Sequence, residues 1–177
     1  CLLSLIADVA IVCYGGWCVD IHTPNGLLDF DKLPSYPGFF EGVYTIPYRS
    51  YYSKNIRNMF MAGRNISTSK RALCSTRIIG TCAIGGEAVG IAAALCAKYG
   101  CEPRELAPEH IGELQQLILK ADGFLPNIVN TDKDDLARDA VFTATSCQAG
   151  GEPMQVINGL SRKLGDTWNG WVSDGIS

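Results

Sequence analysis

The chain has 177 residues, with 15 Lys and Arg against 18 Asp and Glu and a formal charge of -3. That length can bury a sizeable core in one domain or slightly more, and the acidic balance excludes a general nucleic-acid binder, which carries a net basic face. The eight cysteines contain no C-x-x-C pair, and His22 and His110 are the only histidines, so no metal spacing emerges and buried thiols are expected instead.

The chain opens at Cys1 in an apolar run, Leu2 to Ile6, interrupted by Asp8, with no basic flank or cleavage pattern, so no export signal is read and the compartment stays open. Together with an end at Trp171 to Asp174 that has no closing element, this predicts a piece of a longer protein. Val9 to Tyr14 reads as a short strand, Gly15-Gly16 as a turn, and Trp17 to Pro24 as a loop carrying Asp20 and His22. Residues 31 to 45, rich in Pro, Gly and aromatics, read as packed irregular connection. Met59 to Ala62, ended by Gly63, has the composition of a strand covered on both faces, as in a parallel sheet.

Charge is segregated around this strand. No Asp or Glu occurs from Gly42 to Gly86, whereas Arg49, Lys54, Arg57, Arg64, Lys70, Arg71 and Arg77 all do. Such a segment suits an anionic ligand; a face pairing with acidic residues elsewhere in a longer protein is the alternative.

The clearest helix spans about Thr81 to Tyr99, apolar nearly all round and therefore expected to be buried. Thr81 is its expected cap and Gly100 its terminator. Gly86 and Gly90 leave a flat stripe on its first turns; tight helix packing alone also produces such glycines. The uncharged run from Ala88 to Ala97 is ten residues, too short to span a bilayer. A second, amphipathic helix is predicted from about Pro108 to Ala121, with His110 facing solvent. Residues 127–139 read as a linker, and 140–177 as an incomplete β-rich module whose first strand is Ala140 to Ser146.

The series Ile46-Pro47-Tyr48-Arg49-Ser50, Asn58 to Ser67, Ser75-Thr76-Arg77, Thr81-Cys82 and Gly86-Glu87-Ala88-Val89-Gly90 resembles, in order and spacing, the carboxyl-terminal flavin segment of the FAD-dependent oxidoreductase family. That family includes fumarate-reductase-like and heterodisulfide-reductase-A-like flavoproteins, and the resemblance covers roughly residues 5 to 125. It implies an α/β fold: residues 1–126 as the carboxyl-terminal part of a two-dinucleotide-binding-type FAD domain. It also implies FAD as cofactor, with Gly63, Arg64, Thr81, Cys82, Gly85 and Gly86 at the isoalloxazine, and hydride transfer with a small organic substrate.

Gly16 to His22 resembles the family's segment ahead of the flavin strand. His22 is thereby a candidate proton carrier with Asp20 fixing its tautomer, although an Asp-x-His pair also serves structure alone. Arg77 is a candidate for holding a substrate carboxylate or a phosphate. Glu87 stands where the family usually has Gln, and beside a reduced flavin it calls for a basic partner such as Arg64 or Arg77.

No G-x-G-x-x-G turn for the ADP half of FAD occurs, so an amino-terminal half of the same protein is the expected partner. The tail from Arg138 resembles the opening of a discoidin-like, galactose-binding β-sandwich. Two rival functions are a carbohydrate-binding protein with a degenerate flavin fold and a redox subunit partnered with an iron-sulfur protein. Neither a nucleic-acid nor a membrane partner is expected.

Overall fold

The computed structural model describes residues 10–175, except the side chain of Leu27. The apolar opening from Leu2 to Ile6, Asp8 and the first residue of the predicted strand, Val9, lie outside the described residues. Contacts divide the chain into a unit ending at Leu114 and a unit beginning at Gln115.

Among the described residues the first unit contains two small antiparallel sheets, two α-helices and the larger part of a third. Strand β1 (Ile11–Gly15) pairs with β4 (Tyr44–Pro47), with a register irregularity between Ile11 and Cys13. The expected Gly15-Gly16 turn is corrected: Gly15 ends β1 opposite Tyr44, whose phenol ring occupies the place where a side chain at 15 would stand. An aromatic ring covering a cross-strand glycine is a recognised strand device.

Strand β2 (Val19–His22) pairs with β3 (Ser35–Gly38). The sequence placed β2 in a loop and β3 in irregular connection; their strand character comes from pairing across a long turn. The Thr23 amide, bonded to the Pro34 oxygen at 3.2 Å, closes that turn, and local propensity does not reveal such a contact.

The expected parallel-sheet strand at Met59 to Ala62 is also corrected. Phe60 forms an isolated antiparallel bridge with Tyr52, while the Ser53 amide donates to the Met59 oxygen and the Met61 amide to the Tyr51 oxygen. The segment folds back on its own sequence neighbour, because Ser53 Oγ accepts the Asn55 and Ile56 amides and makes a tight turn. Mixed α/β content is therefore present, but the sheets are antiparallel pairs.

Helix α1 (Lys70–Thr76) is capped by Ser69, whose hydroxyl accepts the Ala72 amide. After one extended residue, Ile78, helix α2 runs Ile79–Tyr99 and ends at Gly100 with φ +63°, as expected for a left-handed terminator. Ile78, rather than Thr81, is its cap residue. Burial all round is likewise corrected. One stripe (Thr81, Gly85, Ala88, Ala92, Leu95, Cys96) enters the core against β1, while Ala83, Gly90, Ala93 and Ala97 are exposed; small residues stand in water at little cost. By length and composition alone α2 could cross a bilayer, which the ten-residue run had argued against.

Helix α3 spans Pro103–Lys120 and crosses the boundary between the units. It starts five residues earlier than the Pro108 signal suggests, because Pro103 occupies the first position and the Glu105 carboxylate reaches back to the Glu102 amide at 2.8 Å, one half of a capping box. Pro108 lies inside the helix, where its missing N–H deprives the Arg104 carbonyl of a helical donor. His110 is not merely solvent-facing: its ring stacks on Tyr99 at 3.8 Å and 4°. The core of the first unit is Ile11, Val12, Cys13, Ile46, Tyr48, Tyr51, Leu106 and Leu114 with the α2 stripe.

In the second unit, Ile118, Leu119, Phe124 and Leu125 are buried, and the Gln116 amide group bridges the Val129 oxygen and the Thr131 amide. The predicted β-rich tail is corrected. Residues 140–146 form no strand, and Val141 is 91% exposed. Alternating Val141, Thr143 and Thr145 give strand propensity, but a strand exists only with a ladder partner. The tail is held by a short helical turn at Pro153–Ile157, the Gln148–Val172 and Gly151–Val172 backbone bonds, and the Trp171 indole donating to the Ser146 oxygen.

Candidate functional site

The site forms where α1 gives way to α2 beside β2. Arg77, the last residue of the α1 turn, donates to the backbone oxygen of Asp20 at 3.0 Å and to its carboxylate at 3.3 Å. The same carboxylate oxygen lies 2.7 Å from Nε2 of His22. Asp20 and His22 are two apart on one strand, so both side chains leave the same face of the β2–β3 pair; Ser35, opposite His22, adds a hydrogen bond to Asp20. That bond, then those of His22 and the nearby positive charge of Arg77, hold the Asp20 carboxyl below its usual range.

An ionised Asp20 makes Nε2 of His22 the donor and leaves Nδ1 free to accept a proton. The imidazole is 59% exposed and therefore reachable, whereas Asp20 and Arg77 are mostly shielded at 23% and 24%. The three residues singled out as catalytic thus form one contact chain.

The neighbouring helix start is open. No side chain caps α2, and the amides of Ile79, Gly80 and Thr81 have no protein acceptor among the described residues. Nothing lies within 4 Å of a Cβ built on Gly80, Gly86 or Gly63, and Gly63 has φ +88°. The Thr76 hydroxyl, one residue before Arg77, is buried without a partner among the described residues. A free first turn concentrates positive potential and unpaired donors.

The other expected cofactor residues are placed differently. Gly85 faces Tyr51: a Cβ there would stand 2.6 Å from the phenol oxygen, so Tyr51 takes the space. Thr81 is buried and its carbonyl accepts the Cys13 thiol at 3.7 Å. Cys82 donates to the Thr76 oxygen at 3.5 Å, tying α2 back to α1. Arg64 is exposed, and among the described residues neither it nor Glu87 has an ion-pair partner; Arg77 serves Asp20, so the basic partner expected for Glu87 is supplied by neither arginine. Sequence reasoning missed Gly80 and Thr76, although the Thr76-Arg77-Ile78-Ile79-Gly80 run beside the expected cap carried the signal.

A sequence profile described as FAD dependent oxidoreductase matches residues 7–118. The chain belongs to the FAD-dependent oxidoreductase family. FAD is that family's cofactor, and no curated protein or solved structure matches the chain significantly. The donor set at the α2 start suits the anionic edge of a flavin ring: three free amides, a buried hydroxyl and room beside Gly80 and Gly86. These residues of the FAD-dependent oxidoreductase chain fit the ring end of the cofactor, while the absence of a G-x-G-x-x-G turn leaves the ADP end without its usual cradle in this sequence.

Proposed function

We propose that this chain forms the isoalloxazine side of an FAD-dependent oxidoreductase that transfers hydride between a small organic substrate and the flavin, the ADP half being held by a dinucleotide-binding region of a longer protein. The observation that carries this reading is the contact chain Arg77 to Asp20 to His22, which begins two residues before Ile79, the uncapped start of α2. Gly63, Arg64, Gly80, Gly86 and the turn containing Thr81 and Cys82 would hold the flavin ring, which supplies the two-electron acceptor.

The protein residues then divide the remaining work. The free guanidinium nitrogens of Arg77 orient a substrate carboxylate. Nδ1 of His22 takes up or returns the proton that accompanies the two-electron step. Asp20 fixes the imidazole tautomer and orients the ring.

The test is anaerobic stopped-flow reduction of the flavin in the intact protein, with a panel of small carboxylic acids. Replacing His22 with Gln should slow reduction on the order of 100-fold, as loss of a general base does, without releasing FAD. Reduction at the parental rate would remove His22 from the chemistry.

A further inference from the structure

On the opposite side of the β2–β3 pair lies a cavity of about 300 Å³. Val19 and Ile21 line it from the face of β2 opposite to Asp20 and His22, and Pro37, which pairs with Asp20, lines it as well. Tyr36, opposite Ile21, and Gly38, opposite Val19, continue the same wall, Phe39, Phe40 and Tyr44 extend it, and α1 closes it with Arg71, Ala72 and Ser75.

The polar groups at its α1 end are unequal. Ser75 Oγ donates to the Trp17 oxygen at 2.6 Å and so accepts from the Tyr44 hydroxyl, also at 2.6 Å. Both hydroxyl protons are spent within the protein. Arg71, by contrast, has no carboxylate partner among the described residues. One uncommitted cation therefore stands at the rim of a cavity whose walls are otherwise aromatic and aliphatic. Apolar walls with few placed polar groups are the usual form of a small-molecule site, and this volume lies at the small end of that range.

We infer that this cavity binds a one-ring aromatic carboxylate, its ring stacked among Tyr36, Phe39 and Tyr44 and its carboxylate paired with Arg71. A ring packs against aromatic edges and faces, and a guanidinium takes a carboxylate in a two-pronged pair. The volume suits one ring rather than a dinucleotide, so this site is distinct from that of the cofactor and does not rest on the flavin reading.

Titrating the full chain with benzoate and with its neutral counterpart benzamide, followed by ligand-observed NMR, tests the inference. Benzoate should bind saturably and at least tenfold more tightly than benzamide. Arg71→Ala should weaken benzoate at least tenfold and leave benzamide unchanged, and Phe39→Ala should weaken both. Arg71 and Phe39 are exposed, so both variants should keep the fold, which circular dichroism verifies. Absence of saturable benzoate binding, equal affinities for the two probes, or benzoate binding indifferent to Arg71→Ala would each overturn the inference; the first is the result expected if another protein surface covers this face.

Discussion

Arg77 grips Asp20 twice with one guanidinium nitrogen, at the backbone oxygen and at the carboxylate. The contact ties β2 to the junction of α1 and α2, so a residue that orients a histidine is set by the same arginine that precedes the open helix start. Replacing Arg77 with Ala should slow flavin reduction about 100-fold, the scale of losing one positioned charge donor. Arg77→Lys should recover only part of the rate, because an ammonium cannot hold Asp20 and a substrate carboxylate in one planar fork. Single-turnover kinetics on both variants checks this.

The Asp20 carboxyl is lowered from 3.8, with Ser35, His22 and Arg77 among the causes. A folded-state pKa below the unfolded one gives stabilisation that is present above 3.8 and is lost as pH falls through the lower folded value. The Asp20 carboxyl carbon and the Ser35 amide signals should therefore report a shared transition whose midpoint lies below that ordinary value. Asp20→Asn should abolish the shared transition.

Gly85 and Gly86 are neighbours with opposite expectations. A methyl at Gly85 overlaps the Tyr51 phenol, a fully buried ring, so Gly85→Ala should destabilise the chain by about 1–3 kcal/mol. Gly86 meets nothing within 4 Å, and Gly86→Ala should stabilise α2 by up to about 1 kcal/mol while weakening flavin retention in the intact protein. Denaturant unfolding and flavin release, measured on the same variants, separate packing from binding.

Burial pushes the Cys13 thiol up from 9.0 to about 11. A raised folded pKa favours the protonated form, so its contribution to stability is complete below 9.0 and is lost as pH rises toward 11. Cys13→Ser should lessen the fall in stability over that window in denaturant titrations. Alkylation at pH 8 should mark Cys147, which is exposed, long before Cys13.

The end of α2 was legible because Gly100 must adopt a left-handed conformation, and the members of the Arg77, Asp20 and His22 chain were legible as residue types in family-like segments. Their mutual contact was not, since it joins residues 57 apart in sequence. Pro108 misled the placement of α3 because a proline signals a first turn whether or not an earlier one exists; the Glu102 and Glu105 pair around Pro103 was the better signal. The tail's alternating Val and Thr carried strand propensity without a ladder partner, and propensity alone does not make a sheet. Gly85 shows the converse limit, where a glycine read as room for a cofactor is occupied by a tyrosine distant in sequence.

The proposed function puts a flavin ring against the uncapped start of α2. Its most direct measurement is the visible spectrum of the intact protein, purified with and without Gly80→Val, which fills the open space beside the first-turn amides. The expected result is a yellow parent that bleaches with dithionite and a variant that keeps its helical circular dichroism but loses most of its FAD; full FAD retention by the variant, or a colourless parent, would overturn that placement.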